Sequence, residues 1–309
     1  MTLSPPPFDA ELGAALAAIR AVRPAHPNLA DMRRPVPGRE PPTLEALARD
    51  GAFRLREDGD LLYCIPAGLT EPAPALYFIH GGGMVAGNPR TDMPLVLDWA
   101  LELGMVAVSV DYRLAPEHPH PIPVEDCYRG LLRAAEASEI DESRIVVGGV
   151  SAGGGLAAAV ALLARDRGGP SLAGQMLICP MLDDRNDSVS ARQMAGLGVW
   201  DREFNEFGWT ALLGDARGGP DVSPYAAPAR ASDLSGLAPA YVDVGSAETF
   251  RDEDVAYASR IWACGGQAEL HVWPGGFHGF DGMVPDAALS VLARRSRLSW
   301  LRRVNSLPG

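Results

Sequence analysis

One serine stands with glycine two positions away on either side, in Gly149-Val150-Ser151-Ala152-Gly153. An apolar run over 144–150 precedes it and an Ala/Leu-rich stretch follows, so the pattern predicts a strand, a sharp turn and a helix. A hydroxyl is a weak nucleophile until a base activates it, and it must first be presented clear of the backbone. A turn of this kind holds the serine in a strained conformation that lifts Oγ above the sheet. The flanking glycines let strand and helix approach closely. The helix N-terminus adds positive potential and a free backbone N–H from Ala152. Acyl transfer also needs donors aimed at the developing oxyanion. His80-Gly81-Gly82-Gly83 follows the apolar run 75–79. Three glycines let that backbone fold close to a ligand with its N–H groups turned into the site. His80 itself reads as a residue that fixes the loop.

A serine needs a base, and six histidines are available: His26, His80, His118, His120, His271 and His278. His26 lies between prolines, His118 and His120 lie in a proline-rich loop, and His271 alternates along a strand. His278 stands in Gly275-Gly276-Phe277-His278-Gly279-Phe280, just past the last predicted strand. Sites in open parallel sheets collect at that carboxyl edge, so His278 is the expected base. The orienting acid belongs after the penultimate strand, which ends near 244–247. Glu248 comes next and is the first choice, with Asp252 second. Asp252, Glu253 and Asp254 open a helix, where acids also suit the dipole for structural reasons alone. Asp243 lies within the strand.

The elements that must hold these residues read as alternating strands and helices. Apolar runs at 75–79, 105–110, 144–150 and 176–179 are continuous, as in strands buried on both faces of a parallel sheet. Helical patterns fall near 92–103, 125–137 and 153–166, and the alternation indicates an α/β doubly wound fold. After a break at about 181–220 the pattern resumes. A strand is expected at 241–244, a helix at 252–264, a strand at 269–273 and a last helix at 286–304. Within the break, Trp200, Phe204 and Phe207 recur at i, i+4 and i+7, so a helix is expected to present an aromatic face. Residues 9–22 read as an amphipathic helix capped by Asp9, followed by a Pro/Arg-rich link and a short helix opened by Thr43. The expected organisation is N-terminal cap helices at 1–50 and a catalytic domain at 51–309 with a cap insertion at about 181–220.

The chain has 309 residues, 47% hydrophobic, with a net charge of −12. That suits a large core and argues against nucleic acid or an anionic lipid surface as partner. The first residues carry no secretory pattern and no run approaches a membrane span, so a cytoplasmic protein is expected. Cys64, Cys127, Cys179 and Cys264 are far apart and form no C-x-x-C pair. They are expected to be buried free thiols, with no zinc or other metal site.

The sequence resembles the hormone-sensitive-lipase-like family of α/β-hydrolases, also called bacterial esterase family IV. The matching segments are His80-Gly81-Gly82-Gly83, Asp111-Tyr112-Arg113-Leu114-Ala115-Pro116-Glu117, Gly149-Val150-Ser151-Ala152-Gly153-Gly154, Arg251-Asp252-Glu253 and the His278 loop, in the family's order over roughly 75–285. The resemblance implies an α/β-hydrolase fold: a mostly parallel central sheet flanked by helices, with a helical cap. It implies an esterase for short- to medium-chain acyl esters that uses no cofactor. The oxyanion donors carry over to Gly82, Gly83 and Ala152, and the acid slot falls on Glu248, where the family's commoner Asp-Pro is replaced. Val150 stands where the family often has Asp or Thr, and Met84 where an aromatic often follows the glycine run. Met84, Val150, Trp200, Phe204 and Phe207 are the expected substrate contacts. The partner is a small-molecule ester, and since the family often dimerises through the sheet edge or last helix, a homodimer is within expectation. An amide hydrolase with the same triad, a non-catalytic receptor on this scaffold and a dehydratase are the alternatives.

Overall fold

Strands β1 (Phe53–Asp58) and β2 (Leu61–Pro66) form an antiparallel hairpin that opens the sheet. This computed structural model describes residues 3–34 and 40–306. Part of the expected Pro/Arg-rich link, residues 35–39, lies outside them. Six more strands follow: β3 (Ala73–Ile79), β4 (Val106–Val110), β5 (Ile140–Val150), β6 (Gly174–Ile178), β7 (Ala240–Gly245) and β8 (Ala268–Trp273). The sheet runs β1-β2-β4-β3-β5-β6-β7-β8. Only β1–β2 and β2–β4 pair antiparallel, and every later pairing is parallel. The hairpin is absent from the sequence expectation. β1 reads Phe-Arg-Leu-Arg-Glu-Asp and is half exposed, as an edge strand armed with charge should be. Strands β4, β6 and β7 are buried throughout, so helices cover both of their faces.

Before the sheet come α1 (Ala10–Ala21), α2 (Leu29–Met32) and α3 (Leu44–Ala48). Asp9 caps α1 by accepting from the N–H groups of Glu11 and Leu12. The connections between strands carry α4 (Met93–Leu103), α5 (Ile122–Ala135) and α6 (Ala152–Arg167). Between β6 and β7 lie α7 (Val189–Gln193) and α8 (Arg202–Leu213). The chain ends with α9 (Arg251–Ala263) before β8, then α10 (Phe280–Met283) and α11 (Ala288–Asn305). One correction concerns the aromatic face: Trp200 precedes α8, because Asp201 takes the N-cap and accepts from the N–H groups of Glu203 and Phe204. A second concerns the thiols, since Cys264 is only partly buried while Cys64, Cys127 and Cys179 are buried.

A main core fills the space between sheet and helices. A second, smaller cluster joins Leu12, Leu16 and Ile19 of α1 to Val199, Phe277 and Phe280. The first helix therefore packs on the loop that carries His278. No helix among the described residues is long and apolar enough to cross a membrane.

Candidate active site

Ser151 sits between β5 and α6 with φ 58° and ψ −122°. That left-handed backbone is disfavoured for a side chain and persists only where the surroundings enforce it. The Ser151 N–H donates to the Ile178 carbonyl (2.8 Å), and its own carbonyl accepts from the N–H groups of Gly155 (3.0 Å) and Met181 (2.9 Å). A Cβ on Gly153 would stand 2.0 Å from the Ile79 carbonyl oxygen, so only glycine lets α6 start so close to β3. Ser151 occupies the N-cap position, yet its side chain makes no cap bond. The hydroxyl is thereby left for other partners.

Its partner is His278, whose Nε2 lies 2.9 Å from Ser151 Oγ. The other ring nitrogen, Nδ1, lies 3.2 Å from Glu248 Oε2. The three side chains are almost fully shielded from solvent, at 7%, 7% and 2% exposed for Ser151, His278 and Glu248. Two bonds fix the loops that carry the last two. The Gly275 N–H donates to Ser246 Oγ (2.8 Å), and the Ala247 N–H donates to the Gly276 carbonyl (3.0 Å). The Asp9 N–H also donates to the Gly275 carbonyl (3.0 Å), which ties the start of α1 to the same loop. The Phe250 and His278 rings meet nearly at right angles with centroids 5.1 Å apart, and the Trp200 ring lies at 6.3 Å. Neither contact has a motif to announce it.

The other acids near Glu248 are committed elsewhere. Asp252 accepts from the Ser190 N–H (2.7 Å) and pairs with Arg251. Glu253 accepts from the N–H groups of Leu182 (2.8 Å) and Asp183 (3.1 Å). Asp243 is held by buried Arg297, which also pairs with Asp281. Asp254 is buried with both oxygens unpartnered. Burial pushes Glu253 and Asp254 well above the ordinary carboxylate range, so both favour the protonated form.

The glycine loop is braced from several sides. The Gly81 N–H donates to Asp92 Oδ2 (2.9 Å), and Tyr112 donates its hydroxyl to the His80 carbonyl (3.0 Å). His80 stacks on Tyr112 at 4.3 Å and bonds the Gly81 carbonyl through Nδ1 (2.8 Å). Burial lowers its imidazole to about 4, so it stays neutral at neutral pH. Burial raises Asp92 to about 6. Arg33 donates to the Val85 carbonyl (2.8 Å) and the Ala115 carbonyl (3.0 Å) while pairing with Glu117. Gly82 has φ 118°, and a Cβ there would stand 2.1 Å from the Ala86 carbonyl oxygen. Among the described residues the N–H groups of Gly82 and Gly83 reach no backbone acceptor. The N–H of Ala152, in the first turn of α6, has no intrahelical partner either.

A cleft of about 460 Å³ opens beside this loop, lined by Gly82, Ala86, Trp200, Phe204 and residues from α1 and α2. Met84 is buried at φ 67°, Val150 and Phe207 are partly buried against the core, and none of these three lines the cleft. Behind the site, Cys179 brings its sulfur within 4.8 Å of ligand atoms of Glu248 and His278. Burial keeps its thiol protonated, and a cation there would have to break the His278–Glu248 bond. The arrangement is suited to proton transfer from a hydroxyl, with backbone donors beside it.

A profile described as alpha/beta hydrolase fold matches residues 76–282. Among curated proteins, carboxylesterase NlhH of Mycobacterium tuberculosis is 36% identical over 235 residues, covering 72% of each chain. The carboxylic ester hydrolase LipN of the same organism is 34% identical over 258 residues, or 77% of this chain and 66% of that protein. Among solved structures, a bacterial heroin esterase superposes with a TM-score of 0.83 at 38% identity, covering 97% of this chain and 98% of that one.

Proposed function

Because this chain belongs to the hormone-sensitive-lipase-like (family IV) branch of the α/β-hydrolases and is a carboxylic ester hydrolase, we propose that it cleaves short- to medium-chain acyl esters through Ser151, His278 and Glu248. The observation that carries the reading is the bonded row Ser151 Oγ–His278 Nε2 and His278 Nδ1–Glu248 Oε2, at 2.9 and 3.2 Å. His278 takes the Ser151 proton as Oγ attacks the ester carbonyl. Glu248 holds the imidazole in the tautomer with Nδ1–H and offsets the charge of the imidazolium. Gly82, Gly83 and Ala152 donate their N–H groups to the oxyanion, each of which typically contributes about 2.7–4 kcal/mol to the transition state. The imidazolium then protonates the leaving alcohol, and water, deprotonated by the same base, releases the acyl group from Ser151. Trp200 and Phe204 wall the cleft that takes one arm of the ester, while Met84, Val150 and Phe207 belong to the core packing behind it. The helices of the first 50 residues and the insertion at 181–220 act as the cap.

The test combines a serine-directed phosphonate with intact-mass measurement and a series of p-nitrophenyl esters. One adduct is expected, on Ser151, together with loss of turnover. Ser151→Ala should fold normally and remain unlabelled and inactive. Activity should fall steeply from butyrate to palmitate. Ser151→Ala with near-native turnover would overturn the nucleophile, and equal activity on palmitate would overturn the chain-length preference.

A further inference from the structure

The cleft beside the glycine loop carries an arginine in its lining. Its lining includes Gly82, Trp200 and Arg23, which follows the end of α1. The guanidinium carbon of Arg23 stands 4.6 Å over the Phe204 ring. Among the described residues no carboxylate lies within ion-pair distance of it, although twenty-four such pairs occur elsewhere in the chain, from His26–Glu203 to Arg303–Glu269. The carboxylate whose field reaches it is Asp201. Both oxygens of Asp201 are already occupied: one accepts from Glu203 and Phe204 (3.0 and 3.1 Å), the other from Gly196 (3.1 Å). The other charged residues of the cleft, Asp31 and Arg34, offset each other in an ion pair at 2.9 Å. Among the described residues Arg23 is thus a cation with no carboxylate in contact, in a cleft that touches Gly82.

A guanidinium backed by an aromatic face keeps its edge N–H groups in plane and available, the geometry that binds a carboxylate through two bonds. We propose that Arg23 is a specificity-determining residue that receives a carboxylate carried on one arm of the ester, so that singly charged anionic esters are the preferred substrates. This rests on the ester-hydrolase reading above and adds the substrate class to it. Burial lowers the Arg23 guanidinium to about 10, as expected of a cation short of a counter-ion, and a bound carboxylate relieves that cost. The long-range repulsion from the acidic surface bears on a polyanion far more than on a single carboxylate that is paired inside the cleft.

The test uses matched pairs of esters, with the anion on either arm. On the acyl side, phenyl hemisuccinate, hemiglutarate and hemiadipate are set against neutral phenyl esters of equal length. On the alcohol side, 4-acetoxybenzoate is set against its methyl ester. The native enzyme should prefer the anionic member of at least one pair, and that preference should shrink as ionic strength rises. Arg23→Met should raise KM for that substrate by roughly tenfold or more, the loss expected of one charge-assisted pair, with the neutral partner little changed. Arg23→Lys should keep part of the preference. A native enzyme that favours the neutral member of every pair overturns the inference and leaves the triad reading standing. An Arg23→Met variant that loses both members equally also overturns it, since Arg23 then only braces α1 on Phe204. If circular dichroism shows that Arg23→Met does not fold, the native preference and its salt dependence decide alone.

Discussion

Glu248 reaches His278 with one oxygen and leaves the other, Oε1, without a partner in a buried site. Its work is therefore concentrated in a single contact, and the charge of that contact can be removed without changing the shape. On the proposed triad, Glu248→Gln is expected to lower kcat by about 10²–10⁴-fold with little change in KM, since the tautomer and the imidazolium would both lose their support. Asp252→Asn should keep kcat within about tenfold and cost on the order of 1 kcal/mol of stability, because Asp252 holds the Ser190 N–H and does not touch His278. Steady-state kinetics beside urea unfolding distinguish the two, and the reverse pattern would assign the acid to Asp252. The meeting of Ser151, Glu248 and His278 was legible in the sequence for a physical reason. Each lies at the carboxyl end of a strand, next to glycines or small residues that the backbone requires there. Cys179 and Phe250 left no such imprint, because their nearness to His278 comes from side-chain packing that no backbone requirement marks in the sequence.

Elements hold those residues in register, and one buried tie between them is Arg297 of α11. It is 1% exposed and pairs with Asp243 of β7 and Asp281 of α10, three residues beyond His278. The strand that leads to Glu248 and the helix that follows His278 are thus bound to one guanidinium. Arg297→Met would leave two carboxylates buried without their counter-ion, a change that costs about 3–5 kcal/mol when one partner of a buried pair is lost. Chemical denaturation should register that loss, and kcat should fall with it; a variant as stable as the native protein would show the tie to be dispensable. Nothing in Arg-Arg-Ser-Arg at 294–297 marks this arginine out from its neighbours, since only the packed sheet decides which one turns inward. The opening hairpin was hidden only in part by this limit: its charged edge strand lacks an apolar run, but β2 carries a continuous one at 61–65 that the sequence expectation omits. The same limit misplaced Trp200, which shares the spacing of Phe204 and Phe207 but lies ahead of the Asp201 cap and bonds Asn205 through Nε1 (3.3 Å). The buried strands β3 to β7 were legible because burial on both faces demands a continuous apolar run.

For the molecule as a whole, the titration of buried groups ties folding to pH, with two opposing signs. Glu253 and Asp254 bind protons more tightly folded than unfolded. They cost stability at neutral pH, and that cost is relieved as pH falls towards the ordinary carboxylate value near 4. His80 acts in the other direction. Its imidazole lies at about 4 in the fold against about 6.5 in the unfolded chain. Its contribution is fully present above about 6.5. As pH falls from there to about 4, the unfolded chain gains a proton that the fold refuses, and stability is lost by up to about 3 kcal/mol. Because the acids oppose this, the native curve alone cannot isolate it, whereas a difference between two proteins can. His80→Gln keeps an amide that can donate to the Gly81 carbonyl and carries no titratable group. It should be less stable than the native protein at pH 7, having lost the stack on Tyr112. The gap between the two should then narrow as pH falls through the window from about 6.5 to 4. Urea unfolding at several pH values measures that gap directly. A gap that stays constant across the window would mean that His80 is protonated as easily inside the fold as outside it, and that the glycine loop does not depend on a neutral imidazole.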